Sequence, residues 1–482
     1  MKWPKCLMHF SNFLFVLVIL RSELFFGQTP NAKSPLPNAP QVAFIAFAQQ
    51  GTTPMRVDFG DLPAAQTEVT VSGQHPRLTQ FDAEKLAIKN NPRVSVARLL
   101  AVAQHQVVRE ARSAELPTAT ASVTAEDAEN ASRISVGSLT ASRLFEHAGA
   151  GGGFTQLITD FGKTSNLVAL SKLLEKAQNA NALASVEDIV LAADQAFFNV
   201  LQARALLKVA QQNVNTRQTT ETQVSELTKN KLKSTLDLSF ANVNLSQAKL
   251  LLLDAQNNVD MTMAALDAVL GLDHQVTYDL VDSDETLHAP PPDVDQLLQL
   301  AFHQRPDLQA LTYSQQAAVK FNHAQRDQML PSISAGGTVG SVPIRPAAYY
   351  LANWWGGIGI NMNIPIFNGF LYSAQAKEAS IRAQAASEQS RDLRDRIVRD
   401  VRTAWLSSNT AFQRVAVSDE LLREANLALS LAQTRYRLGL SSIVELSQAE
   451  FQQTDAAVGN TDARYQYRLS LATLNYQIGA NP

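Results

Sequence analysis

The sequence predicts a mostly α-helical protein with a small β part, built from two copies of one unit. Three observations predict this class. Landmark residues recur at fixed spacings, 108 residues from Lys163 to Leu270 contain neither glycine nor proline, and two segments alternate apolar and polar residues with a period of two. At 482 residues, with 45% hydrophobic and 18% charged residues, the chain has the composition of a folded protein.

The N-terminus has the features of an export signal. Two lysines precede an uncharged apolar run, residues 13–20, which is too short to span a bilayer as a helix. We expect residues 1–48 to form a signal peptide region and residues 49–77 an extended N-terminal tether. The single cysteine, Cys6, falls in the signal region, so the mature chain would form no disulfide.

Composition and spacing exclude several classes of function. The formal net charge of -3 provides no basic excess for neutralising phosphates, so no nucleic acid partner is expected. The eight histidines show no His-x-x-x-His pair, and no nucleophile lies beside a base, so we expect no metal, cofactor or catalytic residues. Beyond the signal, no window has the eighteen or so apolar residues of a membrane helix. If this chain enters a membrane, strands must do it.

The internal repeat is defined by four landmarks. Pro92, within Leu-Ala-x-x-x-x-Pro, recurs as Pro306 in the same motif, 214 residues later. We expect one repeat at residues 78–273, a linker at 274–293 and a second repeat at 294–482. Downstream the spacing is 208 residues and relates Asp160 to Asn368, Asp237 to Glu445, and Gly271 to Gly479.

The sequence of each copy predicts the same order of secondary-structure elements: helix, strand, strand, long helix, tight turn, helix. The first helix begins after an N-cap candidate, Thr79 or Asp293, and runs to Pro117 or Pro331, because proline stops a helix. The long helix breaks near residues 231–235 in one copy and 439–442 in the other. The predicted strands begin at Thr118 and Thr155 in copy one and at Ser332 and Ile358 in copy two.

An apolar stripe on each long helix steps by four and three residues. A repeat of this period makes helices supercoil, and alanines in the seam allow the backbones to approach closely. A plain soluble helical bundle remains an alternative at this point. The stripes are Ile189, Ala193, Ala196, Val200, Ala203, Leu207, Ala210 and Val214, and Ile397, Val401, Ala404, Ser408, Ala411, Val415, Ser418 and Leu422.

The predicted strands have one apolar and one polar face, as in a membrane barrel with water inside. Four strands cannot close a barrel, and open edges are unfavourable in lipid, so several chains would have to share one. An ordinary soluble hairpin with aromatic core residues remains the alternative. Four aromatic residues beside the last strand fit the membrane interface: Tyr349, Tyr350, Trp354 and Trp355.

Together these motifs resemble the TolC family of outer-membrane efflux proteins over residues 78–481. The resemblance is specific through the order and duplication of its motifs. These are the Leu-Ala-x-x-x-x-Pro opening and the Leu-Pro before the first strand of each copy, Gln-Leu-Ile-Thr-Asp-Phe-Gly at 156–162, Ile-Pro-Ile-Phe-Asn-Gly-Phe at 364–370 and Arg-Tyr-x-x-Gly at 435–439. It implies a homotrimer in the bacterial outer membrane, with a shared twelve-stranded transmembrane β-barrel and an all-α coiled-coil tube in the periplasm. It further implies a passive exit duct for efflux or type I secretion, coupled to a periplasmic adaptor and an inner-membrane RND or ABC-type pump.

The resemblance also implies a gate and a docking site at the helix turns. Asp237 and Glu445 match acidic residues that ring the entrance, Tyr436 matches an aromatic residue that hydrogen-bonds the neighbouring coil, and Gln448 stands where some relatives carry a second aspartate. Carboxylates around a narrow pore would attract cations; alternatively, both are ordinary acidic residues at helix N-termini. The turns resemble adaptor-docking tips, with candidate residues Lys231, Lys233, Ser234, Gly439, Leu440 and Ser441.

Two other classes of function remain open from sequence alone. A soluble periplasmic coiled-coil or adaptor-like interaction protein would share the helical stripes but would not need duplicated alternating strands. A secreted hydrolase would need a clustered nucleophile and base, which the sequence does not display.

Overall fold

The computed structural model describes residues 76–126, 133–136, 139–143, 147–274, 276, 278–282, 287–341 and 354–480. The predicted signal region, nearly all of the predicted tether, and the aromatic residues Tyr349 and Tyr350 lie outside these ranges. Within them, no helix combines the length and the apolar character needed to cross a membrane.

The first repeat follows the predicted order, with three short strands that were not predicted. Its longest helix has 67 residues and is therefore about 100 Å long. The elements are β1 (Arg77–Leu78), α1 (Gln80–Asn90), α2 (Pro92–Ser113), β2 (Thr118–Glu126), β3 (Arg133–Val136), β4 (Leu139–Arg143), β5 (His147–Thr159), α3 (Lys163–Lys229) and α4 (Thr235–Val269).

The second repeat has helices of the same lengths, which confirms the predicted duplication. The first three helices have 11, 22 and 67 residues in both copies, and the last has 35 or 36. The elements are β6 (Asp279–Leu280) in the linker, α5 (Val294–Gln304), α6 (Pro306–Asp327), β7 (Ser332–Ser341), β8 (Trp354–Asn363), α7 (Leu371–Arg437) and α8 (Ile443–Ile478).

The opening helix of each repeat is broken at a proline, so the prediction of one continuous helix to Pro117 or Pro331 was wrong. Asn91 and Arg305 have extended backbones, because the ring of the following proline excludes the helical conformation. The predicted N-cap is confirmed, since the Asp82 N–H donates to Thr79 Oγ1 at 3.2 Å.

A glycine at the end of each repeat packs against this break. Gly271 has φ +70°, and a Cβ there would lie 2.8 Å from the carbonyl oxygen of Asn90. Gly479 also has φ +70°, and its Cβ would lie 3.1 Å from the Arg305 nitrogen. Both positions require glycine for backbone conformation and for space, which explains why these residues are repeat landmarks.

The long helices form two antiparallel pairs. We call α3 and α4 the first coil, and α7 and α8 the second coil. The helix α3 packs against α2, α4, α6 and α8, so it joins the two coils. The predicted stripe on α3 faces this core: Ile189, Ala193, Ala196, Val200, Ala203 and Ala210 are buried.

A four-stranded antiparallel sheet of order β2-β5-β7-β8 lies at the end of the helices opposite the turns. The predicted strands are confirmed, although β5 begins eight residues before Thr155 and includes the glycine run 151–153. The β3–β4 hairpin and the parallel β1–β6 pair were missed. In the described ranges, β2 and β8 each have one unpaired edge.

The two faces of this sheet differ in chemistry. One face carries exposed apolar side chains, and Val123 and Ile358 are 84% and 88% exposed. The strand register places Ala119, Ala121, Val123, Phe154, Val339, Trp354, Ile358 and Ile360 on this apolar face. The opposite face carries hydroxyl groups and glycines: Thr120, Ser122, Thr124, Gly151, Gly153, Thr338 and Gly357, with Trp355 beside them.

Candidate functional site

The two turns between the long helices have the same backbone geometry. Lys231 and Gly439 are both left-handed, with φ of +59° and +75°. The Leu232 N–H donates to the Leu227 carbonyl at 2.8 Å, and the Leu440 N–H donates to the Arg435 carbonyl at 2.8 Å. This six-residue hydrogen bond with a left-handed residue inside it is a Schellman motif.

The two predicted gate acids lie in the first turn of the helices that follow the turns, and the N-cap residues there are Ser234 and Ser442. The Asp237 N–H donates to Ser234 Oγ, and the Ser234 N–H donates to Asp237 Oδ2, which forms a capping box. The Glu445 N–H donates to Ser442 Oγ, and its carboxylate accepts from Arg435 Nε at 2.9 Å. Each acid therefore has a local role within its own coil, and Glu445 is exposed to solvent whereas Asp237 is partly buried.

Tyr436 lies where the two coils meet above the turns. Its side chain is 5% exposed and belongs to a core supplied by all four long helices. Lys233, from the turn of the first coil, places its ammonium group 4.4 Å from the centre of the Tyr436 ring. Burial raises the pKa of the Tyr436 hydroxyl, and the negative charge of Asp237 raises it further. In the described ranges, this hydroxyl has no hydrogen-bond partner.

The structure therefore brings together only part of the predicted gate. Lys233, Asp237 and Tyr436 meet across the two coils. Glu445 is paired with Arg435 inside the second coil, and Gln448 is exposed. The Ser441 hydroxyl is buried without a partner among the described residues. No group of three or more His, Cys, Asp or Glu in these ranges is placed to hold a metal ion.

The turns also expose apolar side chains. The leucines that directly flank the two left-handed residues point into solvent, and each is about two thirds exposed. A valine and another leucine extend this surface along the first turn of α4 and α8. The exposed apolar residues are Leu232, Leu236, Leu438, Leu440 and Val444.

The four predicted interface aromatics are not gathered on one face. Trp354 pairs with Ser341 and lies on the apolar face, whereas Trp355 pairs with Gly340 and lies on the hydroxyl face. Trp355 borders a shallow groove of about 360 Å³ on that face. Tyr349 and Tyr350 are outside the described residues.

A polar network between the coils was missed by sequence reasoning. Arg217 on α3 and Glu450 on α8 form an ion pair with both side chains buried. A signal was present, since Arg217 stands three residues after Val214, where the next apolar residue of the stripe is due. A charged residue at a seam position indicates a specific partner, but the sequence alone did not identify Glu450.

Two long helical pairs joined to a small antiparallel sheet give this chain the fold of TolC-like outer-membrane channels. The outer-membrane channel OprN superposes with a TM-score of 0.74 at 17% identity, over 83% of this chain and 90% of that one. Residues 297–480 match the family model described as outer membrane efflux protein. The resemblance to the TolC family is thus confirmed.

Two relatives that are similar to this chain are both named outer membrane protein TolC. Outer membrane protein TolC of Salmonella enteritidis is 25% identical over 122 residues, which is 25% of this chain and 25% of that protein. Outer membrane protein TolC of Escherichia coli K12 is 22% identical over 342 residues, which is 67% of this chain and 68% of that protein. The aligned stretch therefore spans about a quarter of the length of the first relative and two thirds of the second.

Proposed function

We propose that this chain is one subunit of an outer-membrane channel, a passive exit duct of a tripartite efflux or type I secretion system. The observation that carries the proposal is the sheet, which has two open edges among the described residues, an exposed apolar face and a face of hydroxyl groups and glycines. The apolar face suits lipid, and the hydroxyl face suits an aqueous lumen. The names of the relatives, outer membrane proteins and channels, support the same location.

Three copies would complete the structure. Unpaired strand edges in lipid leave backbone groups without hydrogen bonds, and each such group costs several kcal/mol. Pairing β2 of one copy with β8 of the next removes both edges, and three copies supply twelve strands. The outward face of α2 supports association, because Val96, Leu99, Leu100 and Val102 are all more than half exposed.

The turns are the proposed periplasmic end of the duct. Asp237 and Glu445 from three copies would ring the entrance and favour cations, beside Tyr436 and Gln448. In this arrangement Trp354 anchors the apolar face at the membrane interface, with Tyr349 and Tyr350 as further candidates. Trp355 lies on the lumen side of the same strand. Of the predicted interface aromatics, it is therefore the one that would not contact lipid.

The proposed docking surface for the adaptor consists of the two turns. Leu232 and Leu440 are exposed at equivalent positions, and Lys231 and Lys233 add positive charge to the first turn. Exposed apolar groups surrounded by polar residues are typical of a protein interface. An adaptor that binds both turns would connect the duct to an RND or ABC-type pump. The pump would supply the energy that a passive duct lacks.

Fractionation and electrical recording test the proposal. We expect the full-length protein in the outer-membrane fraction, as an oligomer that dissociates on heating before gel electrophoresis. Purified protein should conduct ions across a planar bilayer. A monomer in the soluble periplasmic fraction that never conducts would contradict the proposal and favour a soluble coiled-coil or adaptor-like protein.

A further inference from the structure

A groove of about 360 Å³ lies on the hydroxyl face of the four-stranded sheet. One rung of the strand register crosses this groove, and its four residues are Ser122 on β2, Gly151 on β5, Gly340 on β7 and Trp355 on β8. Neighbouring strands lie about 4.8 Å apart, so the α-carbons of Ser122 and Trp355 are about 14 Å apart. The groove therefore has a hydroxyl wall on β2, a glycine floor and an aromatic wall on β8.

The floor is closed to side chains because the two middle strands approach closely. A Cβ on Gly340 would lie 3.0 Å from the Cα of Gly151, and a Cβ on Gly151 would lie 3.0 Å from the Val339 carbonyl oxygen. A side chain at either position would push the strands apart. Both floor strands pair on each side with another strand, so the side chains of the two walls must provide any recognition of a solute.

Trp355 supplies an aromatic surface that solvent reaches, since this residue is 49% exposed. Trp405 on α7 donates its indole N–H to the Pro291 carbonyl at 2.7 Å, whereas the indole N–H of Trp355 has no hydrogen-bond partner among the described residues. A tryptophan combines an apolar ring with one polar N–H group. Both parts of the Trp355 side chain are therefore available to a solute in the groove.

The opposite wall consists of three hydroxyl groups at alternate positions of β2. Thr120, Ser122 and Thr124 border the groove and are exposed, and Thr338 on β7 adds a fourth hydroxyl. Each hydroxyl can donate one hydrogen bond and accept two. None of the described residues that line the groove is charged. The groove therefore suits a neutral solute that carries several hydrogen-bonding groups and has an apolar face.

We propose that this groove is a saccharide-binding subsite on the wall of the channel lumen, with Trp355 as its aromatic platform. The proposal rests on the channel function proposed above. The face of an indole ring is partly negative and attracts the partly positive C–H groups on the face of a sugar ring. The sugar hydroxyls exchange hydrogen bonds with Ser122 and its neighbours on β2. A neutral sugar also matches the uncharged lining of the groove.

Each copy contributes one such subsite to the proposed assembly. Pairing of β8 with β2 of the next copy places a second row of hydroxyl groups on the other side of Trp355. Four strands separate equivalent tryptophans, so the subsites recur about every 19 Å around the lumen wall. Weak, repeated sites of this kind allow a solute to leave as readily as it enters.

Current block by maltohexaose tests the subsite in planar bilayers that hold the full-length protein. We expect brief blocks, and their dependence on sugar concentration gives a dissociation constant. Trp355→Ala should raise this constant roughly fivefold, whereas Trp355→Phe keeps an aromatic face and should stay within about twofold of wild type. Trp354→Ala is the matched control: it removes the neighbouring tryptophan from the apolar face and should leave the constant unchanged.

The results separate the subsite from the channel. If the wild-type protein conducts but maltohexaose causes no block, the subsite is refuted while the channel stands. The same conclusion follows if Trp355→Ala is blocked as strongly as wild type. Block by benzyl alcohol without block by maltohexaose would overturn the assignment to saccharides.

Two further measurements decide the cases in which a protein does not assemble or conduct. Should Trp355→Ala not form the heat-sensitive oligomer, Ser122→Ala removes one hydroxyl from the opposite wall and should raise the constant roughly threefold; an unchanged constant would overturn the subsite. If the wild-type protein does not conduct, the channel proposal fails. Maltohexaose should then still change the tryptophan fluorescence of the detergent-purified protein, and Trp355→Phe should abolish this change. Unchanged wild-type fluorescence would refute sugar binding as well.

Discussion

Lys231 and Gly439 occupy the same position in two copies of one helix turn, and both have a left-handed backbone. Glycine adopts this conformation without strain, whereas a residue with a Cβ does not. The first turn therefore contains backbone strain that the second turn avoids. The same Schellman hydrogen bond forms in both, so the difference between them is confined to the side chain.

Replacing Lys231 with glycine should stabilise the protein. Removal of the left-handed strain is expected to raise the free energy of unfolding by about 1 kcal/mol. Urea unfolding followed by circular dichroism measures the change. The matched control is Gly439→Ala, where a Cβ meets no atom within 4 Å and only the backbone conformation is unfavourable. Gly439→Ala should destabilise the protein by a similar amount. If Lys231→Gly is no more stable than wild type, the claim that Lys231 is strained is contradicted.

The free energy of unfolding should fall as the pH rises from about 4 to 7, because of one buried carboxyl at the contact between α1 and α3. Burial, followed by the negative charge of Glu84, raises the pKa of the Asp194 carboxyl to about 7, and Gln80 donates to it at 2.9 Å. In the unfolded chain an aspartate titrates near pH 4. Between these values the folded state holds a proton that the unfolded state has lost, so stability decreases by up to about 1.4 kcal/mol per pH unit.

Asp194→Asn should remove this dependence and stabilise the protein at pH 8 but not at pH 4. Thermal unfolding midpoints across this pH range measure the effect. Asp254→Asn, at an exposed carboxylate on α4, provides the control and should leave the profile unchanged. If the wild-type and Asp194→Asn midpoints change by the same amount between pH 4 and 7, Asp194 titrates normally and the prediction is contradicted.

Neutralising the acids at the turns should reduce the preference for cations. Asp237→Asn with Glu445→Gln removes two negative charges per chain. The amide oxygen can still accept from the Ser234 N–H at position 237, and position 445 takes part in its cap only through the backbone N–H. The reversal potential in a potassium chloride gradient should shift toward zero. Glu388→Gln changes a carboxylate on α7 that is 74% exposed and should have no effect. An unchanged potential in the double variant would remove both acids from the conduction path.

Adjacent residues of β8 should respond in opposite ways to a charge. Ile360 lies on the apolar face and Asn361 on the other face. Lysine at a lipid-facing position costs roughly 2–4 kcal/mol near the middle of the bilayer, so Ile360→Lys should reduce the protein recovered in the outer-membrane fraction. Asn361→Lys should be recovered like wild type. Equal recovery of both variants would contradict the assignment of the faces.

Local patterns made most of the fold predictable. The duplication follows from Pro92 and Pro306, and the helix turns follow from the break in each long helix. The glycines Gly271 and Gly479 marked the ends of the repeats. These features depend on the chain conformation near the residues themselves, so spacing and residue type were sufficient to find them.

Long-range relationships were not predictable from one sequence. Arg217 and Glu450 are 233 residues apart, and neither shows in its own neighbourhood that the other is its partner. Trp354 and Trp355 were grouped by proximity in sequence, yet a strand places neighbours on opposite faces. The β3–β4 hairpin lies where the spacing between the repeats changes from 214 to 208 residues, so the second copy offered no guide.

The central claim is that separate copies of this chain share one sheet, and cross-linking tests it most directly. Cysteine would replace one residue on the apolar face of each open edge: Ala119, Ala121 or Val123 on β2, combined with Ile358 or Ile360 on β8. A short bifunctional maleimide should join different copies, giving covalent dimers and trimers on a denaturing gel and nothing larger. If every combination stays monomeric in the membrane, the account of a shared channel is contradicted.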